Sequence, residues 1–206
     1  MRKTFLVMVM VLLVAGPAGV AFAEDKVLAT VSGEITGEKG KVFQVDKVLK
    51  DDGVWVQVSG PLPDKSLVWT SENLGVEEKT FTLDGKAESL ALKDLTGDSV
   101  PEVVTAAFYG PKASGMWVFT WSGADKKFVP IVVTHPKEDL TRDFFVADIQ
   151  QESGGELVIG PDGKVTCLGL IYSEKEGEEP QPAQYVYELK DGKYVFAERK
   201  PLPAKP

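Results

Sequence analysis

Two segments of this chain set oxygen-bearing side chains at the same intervals. The first runs Leu90-Ala91-Leu92-Lys93-Asp94-Leu95-Thr96-Gly97-Asp98-Ser99-Val100-Pro101-Glu102-Val103-Val104. The second runs Phe145-Val146-Ala147-Asp148-Ile149-Gln150-Gln151-Glu152-Ser153-Gly154-Gly155-Glu156-Leu157-Val158-Ile159. In each, an extended segment ends at Asp, seven residues intervene, and a Glu opens an apolar run. Asp94, Thr96, Asp98 and Glu102 occupy loop positions one, three, five and nine, and Asp148, Gln150, Glu152 and Glu156 repeat them. A hard cation such as calcium takes six to eight oxygens at about 2.3–2.6 Å, and a tight loop that turns alternate side chains inward gathers them. The alternative chemistry for both loops is a polar β-turn whose carboxylates accept hydrogen bonds from backbone amides.

Both loops join strand to strand, which separates them from helix-flanked calcium loops. On these residues the chain resembles the FG-GAP or VCBS-type repeat of integrin-like β-propellers, whose loop reads approximately D-x-D/N-x-D-G-x-x-D/E before a strand. The resemblance covers about 15 residues per copy and implies Ca²⁺ held by Asp94, Asp98 and Glu102, and by Asp148, Glu152 and Glu156 in the second copy. Thr96 and Gln150 depart from the acidic or Asn residue at position three, and Ser99 and Ser153 from the Gly at position six. The second copy is the more degenerate.

Other constellations carry less chemistry. His135 is the sole histidine, and no Gly-x-Ser-x-Gly elbow surrounds a serine, so the residues point away from an enzyme. The competing reading is an envelope hydrolase or lyase that uses Asp and Glu as acid and base. In Met116-Trp117-Val118-Phe119-Thr120-Trp121, period-two alternation puts Trp117, Phe119 and Trp121 on one strand face. That ladder suits core packing, with Met116, Val118 and Thr120 toward solvent; its other use is a platform for a sugar or protein partner. Cys167 lies in the apolar run Val165 to Ile171 and reads as a buried, inert thiol.

The elements that must position these residues are β-strands. Short runs rich in Val, Tyr, Phe, Trp and Thr end at Gly, Asp-Gly or Pro throughout. The spacing predicts strands over 27–31, 41–49, 54–58, 66–70, 79–83, 89–93, 102–108, 116–121, 128–133, 144–147, 156–159, 165–172, 184–189 and 193–198. A single helical turn near 137–140 is the only other element. Glu174 to Pro182 is acidic and Pro-broken and reads as a solvated loop, and 201–206 as a Pro-rich tail.

Residues 1–23 have the form of a secretory signal. Arg2 and Lys3 precede an apolar run from Phe5 to Ala15, and Ala21-Phe22-Ala23 supplies the cleavage site. The expected location is therefore periplasmic or secreted, with no membrane span after cleavage behind Ala23. The chain carries a formal charge of −8, and cleavage removes two more positive charges. Such an acidic surface disfavours nucleic acid and favours divalent cations or basic partners.

The remaining chain is long enough for one domain over 24–200, with a divergent part at 24–85 and the two repeats at 86–200. At roughly 50 residues per copy it holds fewer than the four blades that close a propeller. The expected fold is all-β: antiparallel sheets built from FG-GAP-like repeats, as an open or irregular β-array or a small propeller-like form. The expected role is an exported, non-enzymatic module that binds a protein or glycan.

Overall fold

The computed structural model describes residues 25–135, 140–173 and 177–203. The leader at 1–23, most of the helical turn near 137–140, the 174–176 part of the acidic loop and residues 204–206 lie outside the described residues. No helix among the described residues is long and apolar enough to cross a membrane.

The fold is open and all-β. Strands β1 (Lys26–Gly33), β2 (Phe43–Lys50), β3 (Gly53–Ser59) and β4 (Leu67–Thr70) form an antiparallel meander. Two further sheets draw on β5 (Glu77–Lys79), β6 (Phe81–Leu83), β7 (Lys86–Glu88), β8 (Leu90–Lys93), β9 (Glu102–Gly110), β10 (Ala113–Ser122) and β11 (Lys127–Pro130). They also use β12 (Val133–Thr134), β13 (Thr141–Arg142), β14 (Phe145–Ala147), β15 (Leu157–Ile159), β16 (Val165–Ile171), β17 (Gln181–Lys190) and β18 (Lys193–Pro201). The middle sheet has β9 and β10 at its centre, β5 and β8 along the free side of β9, and β11 and β14 along the free side of β10. The outer sheet runs β13-β12-β18-β17-β16-β15-β6-β7 and curls into an open half-barrel.

These sheets stack as three layers with two cores between them. Val104, Ala106, Met116 and Val118 point from the middle sheet into a core shared with Phe145, Leu157, Cys167 and Tyr194. Val103, Ala107, Trp117 and Phe119 point the other way, against Val45, Val54, Val56 and Leu74 of the meander and its following segment. A sheet covered on both faces reads as continuous apolar sequence, which is what Val103 to Ala107 and Met116 to Phe119 supply.

That double coverage corrects one expectation. The face carrying Met116 and Val118 was expected to meet solvent, yet both residues are buried in the first core. The expected strand 79–83 also divides: Lys79 ends β5 in the middle sheet, and Phe81 begins β6 in the outer one. The strand expected over 128–133 divides likewise into β11 and β12. Between β5 and β6 the chain passes between layers through Thr80 alone, with no Gly or Pro to mark the change of pairing partner, whereas Pro130 does mark the end of β11. Strands β7 and β13 are too short to announce themselves in sequence. Gln181 and Pro182, read as loop, begin β17, and Leu202 N donates to Pro182 O at 2.8 Å, so the tail adds to that sheet. The boundary at residue 85 falls inside the β6–β7 hairpin.

One charged group sits between the layers. The Lys47 ammonium is buried and donates to Lys79 O at 2.9 Å, Ser89 O at 3.2 Å and Ser89 Oγ at 2.9 Å. Burial pushes its pKa down to about 8, although Glu78 pulls it back up. Below pH 8 Lys47 is protonated in the folded and unfolded chains alike, and the buried charge carries its full cost. Above the unfolded value both forms are neutral and the cost is gone. The stability of the natural chain minus that of Lys47→Met is therefore expected to rise by about 3 kcal/mol from pH 8 to 10.5, read from urea denaturation at each pH.

Candidate functional site

The first loop connects β8 to β9 as a hairpin within the middle sheet, where Lys93 pairs with Glu102. Its carboxylates face its own backbone. Asp94 accepts hydrogen bonds from Gly97 N at 2.7 Å and Ser99 N at 2.9 Å, and Asp98 accepts from Val100 N at 2.8 Å. Glu102 is 1 % exposed and accepts from Leu95 N at 2.7 Å, Thr96 N at 3.3 Å, Thr96 Oγ1 at 3.1 Å and Thr120 Oγ1 at 3.3 Å. Burial raises its pKa, the loop amides oppose that, and Asp98 adds to it. Among the described residues no Lys or Arg pairs with Glu102.

The second loop is built differently. It carries the chain from β14 in the middle sheet to β15 in the outer one, through a short 3-10 turn at Glu152–Gly154. Asp148 turns away from its own loop and accepts from Leu170 N at 3.0 Å. Gln150 accepts from Ser114 Oγ at 3.1 Å and donates to Lys112 O at 3.2 Å. Glu156, fully buried, accepts from Gln151 N at 3.2 Å and Ser114 Oγ at 3.2 Å, and pairs with the Lys79 ammonium at 2.5 Å. That ammonium also reaches Gln151 O at 3.3 Å. A side chain of the protein thus supplies the positive charge inside the second loop.

The loops do share a backbone signature. Position six is left-handed in both, at φ 69° for Ser99 and 53° for Ser153, where the resembled family has Gly. Gly154 follows at φ 72°, and a Cβ there would lie 2.3 Å from Thr80 O, so the link between β5 and β6 requires glycine beneath it.

For calcium, the second loop does not fit, because Lys79 occupies the mouth of its buried carboxylate. The first loop keeps the hard oxygen donors Asp94, Thr96, Asp98 and Glu102, although no three acidic, His or Cys groups among the described residues converge at metal-holding range. The aromatic ladder is core: Trp117 and Phe119 are each 3 % exposed, Phe119 meets Trp69 edge-on at 5.2 Å, and Trp121 packs on Phe128 at 5.1 Å. Cys167 is buried, and burial raises its pKa, as its apolar run suggests.

The structure adds a site that the motifs do not mark. A cleft of about 580 Å³ opens where the middle sheet ends against the outer one, lined by Tyr109, His135, Arg142, Phe144, Tyr185 and Arg199, among others. Strand β14 leaves β10 here and approaches β16, with Asp148 N donating to Leu168 O at 3.2 Å. Gly169 on β16 lets the Tyr185 ring lie flat on the strand, since a Cβ there would sit 2.8 Å from that ring. Tyr185 Oη then donates to Leu170 O at 3.0 Å, and Arg199 stands directly across from Tyr185 on β18. Phe144 stacks on Trp117 at 4.8 Å and meets Tyr109 at 4.9 Å, which ties the cleft wall to the ladder. The sequence signal for this site was composition: arginine is rare in the chain, and the two beyond Arg2 both end up here.

No family model, no curated protein and no solved structure matches the chain.

Two outcomes test the loop analysis. Lys79→Met strands a buried carboxylate and is expected to lower stability by about 3–5 kcal/mol in chemical denaturation, with Lys79→Met/Glu156→Gln recovering most of it. Ser99→Gly relieves a left-handed residue and is expected to raise stability by about 0.5–1 kcal/mol in the same assay.

Proposed function

We propose that the protein is an exported, non-enzymatic β-module of the cell envelope that binds a glycan partner through the cleft at the end of the middle sheet. Its first nine-residue loop acts as a calcium-type loop of the FG-GAP kind. The observation that carries this reading is the separation of the two loop glutamates from the concave surface. Glu102 and Glu156 are buried and bonded to their own loops, while among the described residues the cleft presents aromatic rings, two guanidinium groups and His135, with Asp148 as its one carboxylate. An acid–base hydrolase would need paired carboxyl groups facing a bound substrate across such a cleft.

The calcium part is supported by the contrast between the two loops. Glu156 has Lys79 as an internal cation, whereas Glu102 is equally buried and has no cationic partner among the described residues. Asp94, Thr96 and Asp98 supply further hard oxygens from the same loop, and bound calcium would add charge neutralisation and stiffen the β8–β9 hairpin.

Calcium added to the metal-free exported chain is expected to raise its melting temperature, and the double variant Asp94→Ala/Asp98→Ala is expected to lose that rise. An unchanged melting temperature in the natural chain would remove calcium from the account. Release of shortened products from a glycan incubated with the chain would replace the binding module by a hydrolase or lyase.

A further inference from the structure

Beyond Arg2 the chain has two arginines and one histidine, and Arg142, Arg199 and His135 all line the same cleft. Four of its five tyrosines do so as well: Tyr109, Tyr172, Tyr185 and Tyr187. In an acidic chain of formal charge −8, this gathering makes a local cationic and aromatic recess in an otherwise anion-repelling surface.

We propose that this cleft binds an acidic sugar, a short oligosaccharide whose rings carry carboxylates, as in a uronate. The proposal rests on the binding-module reading above and names its ligand class. Three features of the cleft select that chemistry.

The first is charge. Guanidinium groups hold carboxylates through paired N–H donors in a fixed fork, which a lysine ammonium cannot match. Among the described residues no carboxylate forms an ion pair with Arg142 or Arg199. Arg142 nevertheless acts on the cleft interior, where its charge opposes the burial that raises the Tyr187 phenol.

The second is ring faces at the rim. Tyr109 is 57 % exposed and Tyr172 64 %, and Leu140 beside them is also exposed, so apolar faces that folding could have buried stand at the mouth. Flat aromatic faces complement the C–H faces of pyranose rings.

The third is the balance of donors and acceptors. Among the described residues the lining side chains offer two guanidinium groups and several phenol hydroxyls, against a single carboxylate, Asp148, one of whose oxygens already accepts from Leu170 N. Such a lining suits a ligand rich in acceptor oxygens. A peptide brings an amide N–H at nearly every residue and needs more acceptors than these side chains give. The volume falls within the roughly 300–1,000 Å³ of small-ligand sites, which matches a few sugar rings rather than a folded partner.

Calorimetric titration of the full exported chain with trigalacturonate, and in parallel with neutral galactotriose, tests this. Trigalacturonate is expected to bind, more weakly as sodium chloride is added, and galactotriose to give no heat. Arg142→Gln and Arg199→Gln are each expected to weaken binding by about tenfold, with the melting temperature unchanged for Arg199→Gln because that side chain is exposed. Arg199→Lys, which keeps the charge and loses the fork, is expected to recover only part of the affinity. Equal binding of galactotriose, or full affinity in both glutamine variants, would overturn the acidic-sugar assignment while leaving a binding module in place. Silence with both sugars would overturn it too. Cleavage of trigalacturonate during the titration would keep the ligand class and end the non-enzymatic reading.

Discussion

The structure depends on a middle sheet that is covered on both faces. Once β9 and β10 lie between two layers, every polar group that enters the sandwich must find its partner inside the protein, because water is excluded from both sides. Lys47, Lys79, Glu102 and Glu156 are the charged groups among the buried residues, and they are matched in three different ways. Lys47 is held by two carbonyls and Ser89, and Ser89 in turn donates to Glu78 at 2.5 Å. Lys79 and Glu156 neutralise one another at the seam between the middle and outer sheets. Glu102 relies on amides and hydroxyls alone, which leaves its negative charge uncompensated and distinguishes the first loop from the second.

The same layering produces the cleft. On the side of β14 the middle sheet ends in a three-residue strand, and the outer sheet is an open half-barrel. The face of β16, β17 and β18 left uncovered there carries Gly169, Tyr185 and Arg199, while Tyr109 and Phe144 close the recess from the middle sheet. Behind the wall, Phe145 packs edge-on against both Tyr187 and Tyr194, at 5.3 and 4.9 Å. Loops and cleft therefore divide the work between them. The buried loop glutamates bond to the scaffold, and the open edge, where Asp148 also lies, is the surface proposed to take a ligand.

Much of the fold was legible because strands leave local signals. Alternation and Asp-Gly turns located β2, β3, β9, β10, β16 and β17 closely, and the paired Asp and Glu of each loop fall at the strand ends where the repeat put them. What alternation cannot carry is the identity of the neighbouring sheet. That is why 79–83 and 128–133 read as single strands, and why Met116 and Val118 read as outward-facing when a second core lies beyond them. The loops were legible as similarly spaced polar segments, but not as different environments: the Lys79 ammonium that fills the second comes from a strand far away in the chain. The cleft was illegible as a motif, since Tyr109, Arg142, Tyr185 and Arg199 are scattered and only the sheet order brings them together.

The central claim is that the first loop and the binding surface are separate parts of one molecule. Amide chemical shifts of the isotope-labelled exported chain, followed during separate additions of calcium and trigalacturonate, test it most directly. The account predicts that calcium moves amides from Leu95 to Val100 and leaves the cleft still, while the sugar moves amides at Tyr109, Arg142, Tyr185 and Arg199 and leaves the Asp94–Glu102 loop still. Sugar-induced shifts centred on the Asp94–Glu102 loop, with an unresponsive cleft, would contradict it.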